Sequence, residues 1–332
     1  MDPVTQGALG AALPKAMRGR SDIVIAGLFG FVGGLAADLD VLIRSDTDPL
    51  LFLEYHRQFT HSLIFIPVGG LICALFLRVL LGKRCTLSFM QSLLFCSLGY
   101  GTHTFLDAST SYGTMLLWPF SDTRFSWSII SVVDPLFTVP LLTLVVISAL
   151  KRRPKYARIG LAWAAFYLCL GAYQHGAALD AARQIAAGRG HETVRIEVKP
   201  SFANIVVWKS IYETAGAFYV DAVRASVRPR IFPGGTVPKL DMARDFPRID
   251  SASRQAEDVR RFRRFSDGFV AKDPDRPNRI FDVRYSFIPN DLTALWSIDL
   301  SPDTNGADPV RFLTHRESAR KKFGVLLRMI FH

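Results

Sequence analysis

Five apolar stretches, each close to the roughly 20 residues that a helix needs to cross a bilayer core, crowd the chain up to about Leu179. They are Ile23–Ile43, Ser62–Leu81, Leu87–Leu106, Ile129–Leu150 and Ile159–Ala178. This feature restricts the fold most, because lipid offers no partner to backbone polar groups and so admits only helices or closed barrels. Residues 1–179 are therefore expected to form a mainly α, membrane-embedded bundle of about five transmembrane helices. Residues 180–332 have ordinary mixed composition and are expected to form a soluble, mainly β (α+β) domain.

The basic residues set an orientation. Lys15, Arg18 and Arg20 precede the first stretch, Lys83 and Arg84 follow the second, and Lys151, Arg152, Arg153, Lys155 and Arg158 separate the fourth from the fifth. If the five stretches alternate, all three clusters fall on one side, which the positive-inside rule makes cytoplasmic. The loops Arg44–His61 and Asp107–Ser128, and the C-terminal domain, then lie outside the cytoplasm of a bacterial inner membrane. The net charge of +11, from 40 Lys+Arg against 29 Asp+Glu, suits loops and lipid headgroups, so nucleic acid is not an expected partner. The sequence says nothing about oligomeric state. Cys73, Cys85, Cys96 and Cys169 form no CxxC pair, so they read as small packing residues.

Residues Met1–Ala16 admit two placements. Val4–Leu13 is apolar but short, and its basic residues follow it, the wrong order for a signal peptide. It is either a surface helix or one that dips into the bundle and brings Thr5 and Gln6 inward. In the second domain, His191–Lys199, Asn204–Tyr212, Ala217–Ser226, Arg279–Ile288 and Thr293–Leu300 show strand-like enrichment and alternation. Helices are expected at Ser253–Phe265 and Ser318–Phe331, the latter with a basic start at Arg320, Lys321 and Lys322.

Seven metal-competent side chains stand where the apolar stretches meet water on the outer side. Asp38 and Asp40 close the first stretch as DLD. Their two-residue spacing points them about 200° apart on a continuing helix, so a frayed end is needed for both to reach one ion. His56 and His61 sit in HRQFTHS before the second stretch, with Thr60 a natural helix cap. His103 and Asp107 are four apart near the outer end of the third, on one helix face. Asp134, in SVVDP, opens the fourth. Each has a bland reading: a solvated helix end, an interfacial histidine, a His–Asp hydrogen bond, a dipole partner. Alternating spans make the four helix ends coplanar, however, and ionisable groups at membrane depth are a functional signal by default. Three imidazoles and four carboxylates without thiolate suit two or three divalent ions, zinc first, with manganese and iron alternatives. Arg57, between the two histidines, is suited to bidentate phosphate recognition or to headgroup contact. Tyr112 and Trp118 read as an interfacial aromatic belt or as a substrate lining.

DLD, HRQFTHS, GYGTHTFLDASTSYGTMLLWPF and SVVDP together resemble the YdjM-like membrane-bound metal-dependent hydrolases, over roughly residues 1–150. The resemblance implies a distant likeness to zinc-dependent phospholipase C and related zinc nucleases, helical enzymes with His/Asp trinuclear sites acting on phosphoesters. The His103–Asp107 spacing is similar to their HxxxD pairs. The family commonly carries Thr-His near its start; here Thr5-Gln6 stands there, and an amide is a poor metal ligand. The expected activity is hydrolysis of a phosphoester, in a lipid or a phosphorylated envelope precursor, by metal-activated water at the outer membrane face. Asp40 or Asp134 would act as base or orienting group, and Arg57 as phosphate clamp. The alternatives are a non-enzymatic divalent-metal transporter or sensor, and a structural envelope protein.

Overall fold

A computed structural model describes residues 1–226, 228–301, 308–315 and 319–331, with side chains throughout except at 319–321. Ser318 and the side chains of Arg320 and Lys321, expected to open the last helix, lie outside the described residues. The chain divides into two compact units. One comprises Met1–Leu42, Tyr55–Tyr173 and Phe202–Asn204; the other comprises Ile43–Glu54, Gln174–Ser201 and Ile205–His332.

The first unit is helical: α1 (Pro3–Met17), α2 (Ile23–Ala36), α4 (Phe65–Leu81), α5 (Phe89–Ala108), α6 (Pro135–Leu150) and the N-terminal part of α7 (Pro154–Gly188). Local signals set their starts. Asp2 caps α1 by accepting from Thr5 N at 3.0 Å, ahead of Pro3. Ser88 and Gln91 form a reciprocal capping box at α5. Asp134 caps α6 ahead of Pro135. The Ile23–Leu42 and Phe65–Arg84 segments are long and apolar enough to cross a membrane, and α6 is a shorter apolar helix. Of the two placements open to the N-terminal stretch, the structure adopts the inward one, with Thr5 and Gln6 fully buried.

Glycine sets how closely these helices approach. A Cβ on Gly30 of α2 would lie 2.2 Å from the Gly10 carbonyl oxygen of α1, and one on Gly99 of α5 would lie 2.1 Å from that of Gly30. The three helices therefore cross with backbone close against backbone, the Pro14 ring of α1 also lying against Gly30. Phe29, Cys73, Ala74, Leu77, Phe95 and Cys96 fill the core beside this crossing. All four cysteines are free.

In the second unit, β1 (Arg195–Pro200), β2 (Val207–Glu213), β3 (Ala217–Arg224), β4 (Arg230–Phe232) and β5 (Thr236–Pro238) form one antiparallel sheet in the order β1-β2-β3-β4, with β5 also on β3. A second antiparallel sheet runs β6 (Val270–Lys272), β7 (Arg279–Asp282), β8 (Trp296–Asp299), β9 (Arg311–Thr314). One face of β2–β3 packs Ile211, Phe218 and Val220 against Phe281 of β7 and against Phe269 and Val283, which flank β6 and β7. The other face packs Tyr212 and Val223 against Ala181, Ile185 and Ala186 of α7. Buried on both faces, β2 lacks clean alternation. Three helices complete this unit with α3 (Leu51–Tyr55), whose last residue belongs to the first: α8 (Met242–Asp245), α9 (Arg254–Phe265), capped by Ser253, and α10 (Ala319–Phe331). The expected strands are shorter than their apolar runs; β4, β5, β6 and β9 carry three or four residues each and gave too little periodic signal to read.

Candidate metal centre

Four elements of the helical unit supply the site. The α2 helix tightens after Ala36 into a 3-10 turn, Ala37–Leu42, that carries Asp38 and Asp40. This turn brings oxygens of the two carboxylates within 4.8 Å of each other while giving them different partners. Asp38 meets the Nε2 atoms of His61 and His103, and Asp40 meets His56 Nδ1 and, at 3.3 Å, His61 Nδ1. A second 3-10 turn, Phe59–His61, presents His61. Thr60 is not a helix cap as its position suggested: its hydroxyl donates to Asp40 Oδ2 at 2.8 Å. The α5 helix presents His103 and Asp107 from one face.

The first group is Asp38, His61, His103 and Asp107. Its hydrogen bonding leaves electron pairs facing one another. His103 Nδ1 lies 2.7 Å from the Gly34 carbonyl oxygen, which only accepts, so Nδ1 carries the proton. His61 Nδ1 lies 2.9 Å from Thr60 Oγ1, whose own hydrogen is committed to Asp40, so that nitrogen also donates. The two Nε2 atoms then meet at 3.0 Å as bare acceptors, beside Asp38 Oδ1 and Asp107 Oδ2. Asp107 Oδ2 is buried, and besides the imidazoles it meets the Arg57 Nε in an ion pair at 2.9 Å. Such an arrangement requires positive charge at its centre. A shared proton supplies it in one form: burial disfavours a charged His61, but Asp107, Asp38 and Asp40 outweigh it and hold its pKa up at about 10.

A divalent ion fits the same donors. A tetrahedral ion with bonds of about 2.0–2.1 Å sets its ligand atoms roughly 3.3–3.4 Å apart. Here His61 Nε2 lies 3.5 Å from Asp38 Oδ1 and 3.2 Å from Asp107 Oδ2. His103 Nε2 lies 3.4 and 3.6 Å from the same two atoms. Two carboxylates also balance the charge of one divalent cation. The outer contacts, Nδ1 of each imidazole to a carbonyl or carboxylate-linked hydroxyl, are those that orient histidine ligands in metal sites.

A second group, Asp38, Asp40 and His56, adjoins the first through Asp38. His56 Nδ1 lies 2.8 Å from Asp40 Oδ1, and burial lowers the His56 pKa despite that partner. The structure thus brings six of the seven expected residues into two neighbouring sets of donors. Asp134 belongs to neither. Its oxygens accept from the Tyr167 hydroxyl, each at 2.9 Å, and from Phe137 N at 3.3 Å, as a helix cap does.

Arg57 is buried beside the first group with a left-handed backbone, φ 61°. Its Nε pairs with Asp107 Oδ2 at 2.9 Å, one terminal nitrogen donates to Thr110 Oγ1 at 2.9 Å, and the guanidinium lies 4.8 Å over the Tyr112 ring. Tyr112 also meets His56 edge-on. Gln6 Nε2 donates to Asp107 Oδ1 at 2.8 Å while its Oε1 is buried without a hydrogen bond; the Met1 amine also contacts Asp107. Sequence reading missed Tyr100, whose hydroxyl holds the Thr60 carbonyl at 2.8 Å, and Thr110 and Tyr167. Tyr100 and Thr110 stand three residues before His103 and three after Asp107, a spacing that could have flagged both.

No solved structure matches this chain. The Escherichia coli (strain K12) inner membrane protein YbcI is 38% identical over 82 residues, a match that covers 23% of this chain and 44% of YbcI. The YdjM inner membrane protein family matches residues 1–178, the segment that contains every donor described above. On that match the chain belongs to the YdjM inner membrane protein family.

Proposed function

We propose that the protein is a multi-pass, metal-dependent hydrolase of the bacterial inner membrane. It acts on a phosphoester, in a lipid or a phosphorylated envelope precursor, at the extracytoplasmic face. Five spans, α2 and α4 to α7, carry it, and the β unit lies outside the cytoplasm. The observation that supports the reading is the pair of imidazole lone pairs meeting two carboxylate oxygens inside a bundle.

Zinc is the first choice for such nitrogen and oxygen donors. Asp38, His61, His103 and Asp107 hold one ion, and Asp38, Asp40 and His56 hold a second. An ion there supplies Lewis acidity and a water acidic enough to act near neutral pH. The protein's own groups do the positioning. Asp40 orients both histidines of the HRQFTH loop. Arg57 is braced by Asp107, Thr110 and Tyr112, so its charge and its second terminal nitrogen are held beside the donors for a phosphate. Asp134 is assigned to the α6 cap and Tyr167.

Metal analysis of the purified full-length protein should find bound divalent ion, and turnover of a lipid-like phosphodiester or phosphomonoester should depend on it. His103→Ala should lower turnover by more than about a hundredfold, as loss of a direct ligand does, and Arg57→Lys by less, since charge remains while the fork is lost. Absence of metal with and without added zinc or manganese, or near-normal turnover in His103→Ala, would refute the assignment.

A further inference from the structure

The basic turns at the far end of the helical unit form a site of their own. Gly19 and Arg20, from the turn between α1 and α2, meet Arg153, from the turn between α6 and α7, and Pro154, Lys155 and Arg158, from the start of α7, around a recess of about 440 Å³. Four of these six residues are cationic and none is acidic. Arg158 Nε donates to the Ala16 carbonyl at 3.1 Å, which aims the guanidinium without cancelling its charge. The nearest ion pair in sequence, Arg18–Asp22, does not line the recess. The 35-residue α7 begins at Pro154, so its positive dipole end adds to the same field. The 14 residues of α2 separate the turn of Arg20 from the turn of Asp38, about 21 Å at 1.5 Å per residue, so the recess is separate from the candidate metal centre.

We propose that this recess is a saturable binding site for the phosphate group of a phosphate ester. Arginines from two turns match a tetrahedral oxyanion through forked hydrogen bonds. The volume admits one phosphate and the small group it carries, not a folded partner. Two sources present that chemistry, an anionic phospholipid headgroup and a soluble phosphate ester. The site does not depend on the hydrolase reading, because its binding is measured without turnover.

The test uses the full-length protein in phosphatidylcholine nanodiscs, with native mass spectrometry counting retained phosphatidylglycerol as it is titrated in. One molecule per chain should be retained saturably. Arg153→Gln with Arg158→Gln should weaken retention by about tenfold or more, the worth of one or two charge-assisted bonds. Lys155→Gln, at an exposed position, should act in the same direction. Lys83→Gln with Arg84→Gln removes equal charge outside the recess and should change retention by less than about threefold at physiological salt. Displacement of the lipid by millimolar inorganic phosphate would assign the site to soluble esters, and resistance to it would assign the site to lipid. Equal losses in both double variants would mean diffuse surface charge and overturn the proposal, as would failure of the unmodified protein to retain phosphatidylglycerol or bind inorganic phosphate.

Discussion

Asp40 gathers four donors on two oxygens: His56 Nδ1, the Arg57 amide, the Thr60 hydroxyl and, at 3.3 Å, His61 Nδ1. That saturation makes it an orienting group for both histidines even though it also belongs to the second set of donors. Asp40→Asn keeps the shape but leaves a single acceptor oxygen and turns an amide towards His56 or His61. Metal affinity, measured by competition with a chromophoric chelator, should fall about 10- to 100-fold, the usual cost of losing an outer partner, with helical content unchanged. An unaltered affinity would show that the loop geometry is set elsewhere. This role is only half legible in sequence. DLD and HRQFTH announce donors, but which carboxylate faces which ring depends on the 3-10 turn, and no residue pattern in DLD marks one.

At the scale of the elements, close glycine crossings decide where the donors meet. With Gly30 against both Gly10 and Gly99, α2 lies near enough for the Gly34 carbonyl to hold His103 and for Gln6 of α1 to reach Asp107. Gly30→Ala would put a methyl group on the Gly10 carbonyl. Overpacking of this kind typically costs about 1–3 kcal/mol, and here it also pushes α1, whose Gln6 holds Asp107, away from α2, which leads into Asp38 and Asp40. Thermal unfolding in detergent should show the loss of stability, and bound metal should fall with it. A Gly30→Ala protein with normal melting and normal metal content would mean that the crossing is softer than described. The same packing explains α1. Its 15 residues are too few to span a bilayer, and the sequence left it either on the surface or inside; the matching glycines of its neighbours draw it in.

For the whole molecule, composition separates a helical part from a β part, while the compact units cut the chain differently. Ile43–Glu54 joins the β unit, where Arg261 of α9 pairs with Asp48 and Glu54. The long α7 contributes to both units. The proposed topology puts the three basic clusters in the cytoplasm and the β unit outside. In a cysteine-free background, a cysteine at Asp250 should react with a membrane-impermeant thiol reagent added from the periplasmic side, and one at Lys83 should not. The reverse pattern would invert the protein and move its candidate metal centre to the cytoplasmic face.

Hydropathy, Lys/Arg placement and the His/Asp spacings are local properties, and they were enough to mark the helical region, the β-rich remainder and six residues that come together as donors. What joins those residues is not local. Gln6 and Asp107 are 101 positions apart and His61 and His103 are 42 apart, so their approach rests on backbone packing that no sequence window contains. The same holds for Asp134, whose depth suggested a ligand. Its partner Tyr167 is 33 positions away on another helix, and only the packed bundle shows that its carboxylate is already taken.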